Sequence, residues 1–128
     1  MACSGLAMER SPPPDATPWR SIADRRERLR TGLAEIYGSY ECNAALTACV
    51  MRDAEVHPLV KEINLLRFGP YMAAYHEVLG AKLNAKQRAL LGLALSFHTW
   101  RMLARESGLK RAAAVAAMVH AIECADKA

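Results

Sequence analysis

The sequence predicts an all-α fold, an antiparallel helical bundle of about five helices, and three observations carry that expectation. Apolar residues recur at spacings of three and four along most of the chain, and no stretch alternates as a half-buried strand would. Start and stop signals recur between these stretches: Asp24 with Glu27, His57-Pro58 and Asn84 with Gln87 open helices, while Gly80 and Gly108 close them. The 128 residues are 52% hydrophobic and 23% charged, an ordinary globular composition with enough chain to bury one core.

Taken in order, Ala2 to Glu9 reads as the tail of a helix, and Ser11 to Pro18 as a linker. Four prolines in those eight residues favour extended backbone. Residues 1–18 are therefore set apart from a domain at 19–128, with Trp19 anchoring its near end. Leu29, Leu33, Ile36, Tyr37 and Tyr40 form one apolar stripe on a helix starting at Asp24 and ending near Tyr40. Asn43 is expected to cap a second helix to about Ala54, whose face gathers Cys42, Leu46, Cys49, Val50 and Asp53. His57-Pro58 starts the next, since proline at the first helical position gives up an amide that needs no partner. Leu59, Ile63 and Leu66 form its stripe as far as Phe68-Gly69-Pro70, where a kink or break is expected. Tyr71, Tyr75, Val78 and Leu79 continue on one face to Gly80.

The dominant stretch runs from Asn84 to Ser107. A capping box opens it, Asn84 accepting from the Gln87 amide while Gln87 reaches back, and glycine at 108 closes it. Between these signals one helix is expected, apolar on more than one side. Leu90, Leu93, Ala94 and Phe97 mark one stripe, Leu91, Leu95, His98 and Met102 its neighbour, and Trp100 and Leu103 widen both. A helix apolar most of the way round needs its own core and a second partner, here another copy of the chain. The short Gly108-Leu109 connection implies an antiparallel last helix, about Lys110 to Ala125. It carries Val115, Met118, Val119 and Ile122, with Ala113, Ala116, Ala117 and His120 opposite. The expected dimer interface is Leu91, Leu95, Trp100, Met102, Val115, Met118, Val119 and Ile122.

Polar groups on apolar stripes outline a candidate ligand pocket. Tyr37, Tyr40, Asp53, Tyr71, Tyr75, His98 and Arg101 would supply a few directional groups, and Met51, Phe68, Phe97 and Trp100 an apolar lining. Each has a plainer reading. A tyrosine can sit at a core edge with its hydroxyl in water; Asp53 can cap or pair with an arginine; His98 and Trp100 can belong to the dimer core.

Other chemistries find little support. No nucleophile–base or paired-carboxylate spacing stands out, so no enzyme is expected. His57, His76, His98 and His120 fall on different helices, and Cys42 and Cys49, sharing a face, read as core thiols rather than metal ligands. No cofactor is expected. The net charge of +4 is concentrated in Arg20, Arg25, Arg26, Arg28 and Arg30, which helical spacing scatters into a solvated face. No apolar run approaches ~18 residues, so no membrane partner is expected. Pro12 to Pro14 interrupts any signal-peptide layout, and four scattered cysteines without a CxxC pair suit reduced thiols in a cytoplasmic protein.

NAALTACVMRDAEVHPLV (43–60), the tyrosine-bearing segment after it, RALLGLALSFHTWRMLARESGL (88–109) and the alanine-rich last helix together resemble the C-terminal effector-binding and dimerisation domain of TetR-family transcriptional regulators. ACSGLAMERSPPPDATPWRSIADRRERLR (2–30) is similar to that family's link to its DNA-binding headpiece. The resemblance implies a homodimer joined by a four-helix interface from the last two helices. It also implies a small hydrophobic or aromatic effector bound among the earlier helices, and allosteric control of operator binding. A helix-turn-helix headpiece would precede Ala2, where only Met1 stands, so DNA is expected as a partner only through that absent headpiece. The competing expectation is a helical homodimerisation or adaptor module with no small-molecule ligand. A cavity holding polar groups favours the first, and a solid core the second.

Overall fold

The computed structural model describes residues 12–126, so the helix tail expected at Ala2–Glu9 lies outside the described residues. A 3₁₀ turn at Thr17–Ser21 precedes six α-helices: α1 (Arg25–Cys42), α2 (Ala44–Val56), α3 (Pro58–Leu79), α4 (Ala85–Leu95), α5 (Phe97–Arg101) and α6 (Arg111–Cys124). A π-helical turn, Met102–Glu106, extends α5. The described residues are all-helical apart from their connections.

Local chemistry explains most boundaries. The Asp24 carboxylate accepts from the Glu27 amide at 3.2 Å and starts α1. Trp19 is buried, its indole donating to Glu35 at 2.6 Å, so it does anchor the end of the proline segment. It lies against α1 at Gly32, where a Cβ would stand 2.7 Å from Leu79 and 3.2 Å from the Trp19 ring. Glycine is what lets α3 and the indole close on α1. The capping box at Asn84 and Gln87 forms in full. Its Gln87 side chain also donates to the Ile122 carbonyl at 3.0 Å, tying the start of α4 to the end of α6. Gly108 takes a φ of 73°, the left-handed residue its position requires.

Four expectations need correction. The helix expected from Asn84 to Ser107 breaks at Ser96, which is extended and caps α5 by accepting from the His98 amide at 3.2 Å. Asn43 does not cap α2 with its side chain; the amide turns back and donates to the Ser39 carbonyl at 2.8 Å. Pro70 does not end α3. A residue before proline avoids the helical region because its Cβ meets the proline ring, and Gly69 has no Cβ. Finally, Cys49 is disulfide-bonded, not a reduced thiol, whereas Cys42 and Cys124 are free.

Four of the five arginines of the run meet groups of the chain itself, and Arg26 is exposed. Arg20 meets Glu77, Arg25 meets Glu123 at 2.9 Å, Arg30 meets Glu27, and buried Arg28 donates to the Ile22 carbonyl at 2.7 Å. These contacts tie the approach to α1 onto α3 and α6.

The residues named for the dimer interface are corrected by burial. Leu91, Leu95, Trp100, Val115, Met118, Val119 and Ile122 all lie in the core of the single chain, and only Met102, 58% exposed, faces outward. The double-faced character of 84–107 has an intramolecular cause. With the break at Ser96, its stripes meet α1 on one side and α6 on the other. The outward face of α6 is Ala113, Ala116, Ala117 and His120.

Candidate functional site: an apolar cleft along α3

A cleft of about 900 Å³ opens between α1, α2, α3 and the α4–α5 junction, with Pro13 and Pro14 in its wall. Helical spacing builds each side. From the α1–α2 junction comes Asn43, and from α2 come Thr47, Val50, Met51, Ala54 and Glu55. From α3 come Pro58, Lys61, Asn64, Leu65, Phe68, Gly69, Tyr71, Met72, Tyr75 and His76, a continuous series at spacings of three and four. Ile36, Ser39 and Tyr40 of α1 close one side, and Gly92, Leu95, Ser96 and Phe97 another.

The broken helix shapes that last wall. A helix end leaves carbonyls without amide partners, and α4 ends inside the molecule. The Tyr37 hydroxyl donates to the Ala94 carbonyl and the Tyr40 hydroxyl to the Leu95 carbonyl, each at 2.6 Å. The Ser96 amide takes the Leu93 carbonyl at 3.2 Å. Two tyrosines one turn apart on α1 thus hold the break open. Tyr40 also packs edge-on to Phe97, with centroids 5.4 Å apart. Opposite, the Tyr75 hydroxyl donates to the Pro14 carbonyl at 2.7 Å, and its ring lies 5.5 Å from that of Trp19.

Of the residues expected to bind a ligand, Met51, Phe68, Tyr71, Tyr75 and Phe97 line this cleft, as does Tyr40. Tyr37, Asp53, His98 and Arg101 do not. Tyr37 is wholly buried behind the wall, committed to Ala94. Asp53 lies off the lining stripe of α2, 4.0 Å from Cys49 Sγ. His98 and Arg101 are exposed on the far side of the Ser96 break; Arg101 donates to His98 Nδ1 at 3.1 Å and covers the Phe97 ring at 5.5 Å. Trp100 is core. Reading the sequence missed Asn43, Thr47, Asn64, Leu65, Met72, His76 and Ser96. The signal was there on α3, since positions 58, 61, 65, 68, 72 and 75 share a face, but Leu59 and Leu66 drew attention to the wrong side. Both are outside the cleft and more than 60% exposed.

The interior of the cleft carries no permanent charge. Its ionisable residues other than tyrosine are Glu55, Lys61 and His76, all exposed at the rim. Burial pushes the Tyr40 phenol up to about 12 and holds Tyr37 and Tyr75 well above the usual tyrosine range, so all three are neutral donors. Asn64 donates to the Val50 carbonyl at 3.3 Å, leaving its Oδ1 buried in the wall without a partner. No group of three or more metal-ligating side chains is present among the described residues. No helix among them is long and apolar enough to cross a membrane. No family model, curated protein or solved structure matches the chain.

Proposed function

We propose that the chain is the ligand-sensing and dimerisation domain of a TetR-like transcriptional regulator, a repressor whose small hydrophobic effector occupies the cleft. The observation that supports this reading is the cleft itself: about 900 Å³, walled by aromatic and aliphatic side chains with a few fixed polar groups. A helical adaptor would have had no use for such a space, because an unfilled apolar cavity destabilises its own lining.

The mechanism follows from the proline segment in the cleft wall. Pro13 and Pro14 touch the cleft and are held by Tyr75, and they lead directly to the buried Trp19. An effector pressing on Tyr75 moves the segment through which a preceding headpiece would be carried. Two recognition helices must match half-sites about one turn of DNA apart, so a small displacement weakens operator binding. A coupling of roughly 1–3 kcal/mol is enough. Dimerisation is assigned to the last two helices as a four-helix interface. Its contacts are drawn from the exposed Ala113, Ala116, Ala117, His120 and Met102 rather than from the buried stripe.

A thermal-shift panel of neutral aromatic and aliphatic compounds, run beside light scattering, tests this reading. A dimer with a saturable shift is expected; a ligand at about a hundred times its Kd adds roughly 2.7 kcal/mol of stability. Tyr75→Phe is expected to reduce the shift of a compound that contacts the Pro13–Pro14 segment. A monomeric chain that no compound stabilises overturns the proposal.

A further inference from the structure

The shape of the cleft says more than its size. Its lining on α3 runs from Pro58 to His76, eighteen residues or about 27 Å at the helical rise, and on α2 from Thr47 to Glu55, about 12 Å. A volume of about 900 Å³ lined over that length is an elongated groove rather than a compact chamber. Charge is arranged to match: Glu55 and Lys61 stand at one end, His76 at the other, and nothing ionised lies between them. A charged group placed midway would find no counter-charge to pair with. Of the tyrosine hydroxyls that border it, those of Tyr40 and Tyr75 are already committed, to the Leu95 and Pro14 carbonyls.

We infer that the cleft takes a single long aliphatic chain lying parallel to α3, apolar along its length, with its polar end at the rim. This rests on the sensor reading above and narrows its effector from hydrophobic molecules in general to long-chain ones. A compact aromatic ligand would leave much of the groove unfilled, whereas each added methylene of a chain finds new wall to touch.

Gly69 provides the means to test this. It lies midway along the α3 lining, and a Cβ built on it meets nothing within 4 Å. A large side chain there obstructs the groove without displacing core atoms. Binding of straight-chain 1-alkanols from hexanol to tetradecanol, with 2-naphthol as the compact comparison, is measured by titration calorimetry. Affinity is expected to rise about fourfold per methylene well past octanol. In Gly69→Phe the rise stops at short chains, while Gly69→Ala, which shares any backbone effect of losing the glycine before Pro70, keeps it. Ala54→Trp, narrowing the groove from α2, provides a second obstruction should Gly69→Phe not fold.

If affinity levels off at hexanol, or if 2-naphthol binds more tightly than the longer alkanols, the long-chain inference fails and the sensor reading stands. If neither class binds, the cleft is filled by protein and both fail. An affinity that climbs equally in Gly69→Phe and Ala54→Trp places the chain elsewhere and overturns the inference.

Discussion

Gly69 and Pro70 show how one missing carbon decides a local fold. An alanine in a helix interior ordinarily gains about 1 kcal/mol over glycine, and space for it is open here. Before proline, however, the Cβ opposes the helical backbone. Gly69→Ala is therefore expected to leave the urea midpoint unchanged or lower it; a gain of the full amount would show that Pro70 is not the reason for the glycine. Tyr37 and Tyr40 make the complementary case, in which one oxygen decides. Tyr37→Phe leaves the buried Ala94 carbonyl without a donor, at an expected cost of about 1–3 kcal/mol in chemical denaturation. Tyr40→Phe, at a less buried position, is expected to cost less. Both phenols also impose a pH dependence. Their pKa values are raised by burial, Tyr40 to about 12, so the unfolded chain releases these protons first. The stability they contribute is full below the unfolded value of about 10 and is lost as pH rises from there through the folded value. Denaturation midpoints should fall above pH 10, and less steeply in Tyr37→Phe.

Among the elements, the break between α4 and α5 organises the site. A continuous helix through residue 96 would have satisfied its own carbonyls and left Tyr37 and Tyr40 nothing to hold. It would also have carried Phe97 round with the helix. The capping box at the other end of α4 does two jobs through one side chain. Gln87 takes the Asn84 amide and supplies the Ile122 carbonyl at the end of α6, so helix initiation and helix–helix docking are coupled. Gln87→Leu keeps the volume and loses both bonds in a fully buried position. A loss of about 1–3 kcal/mol is expected, larger than for an ordinary surface cap. Cooperative unfolding of α4 with α6 should be visible as matched loss of amide exchange protection in both.

For the whole molecule, the question is which face meets a second copy. Most large apolar residues of the last helices are already used inside one chain, with Leu93 and Met102 left exposed, so the proposed dimer rests largely on small ones, which permit close helix approach. Ala117 is exposed on α6. Ala117→Arg is expected to halve the solution mass measured by light scattering while leaving the fold intact by circular dichroism. An unchanged dimer mass would place the interface on another face. Exposed Leu59, Leu65 and Leu66 lie instead on the N-terminal half of α3.

The helical class was legible from residue order because it depends on local chemistry. The Asp24, Pro58, Asn84 and Gly108 signals act within a few residues of themselves, and each formed where its neighbours dictated. Part of the candidate site was legible for the same reason, as Met51, Phe68, Tyr71, Tyr75 and Phe97 stand out by type on helices whose existence was plain. Periodicity tells that a helix has an apolar side, but not which neighbour covers it. That is why Leu91 and Ile122 read as surface to be paired with another chain when they are the core of this one. Nor could spacing show that Ser96 would interrupt a strongly helical run. The interruption is maintained by hydroxyls more than fifty residues earlier in the chain, and only folding brings the two together. The cleft belongs to the same class of feature, being a space left by four helices, and no single stretch of sequence encodes a space.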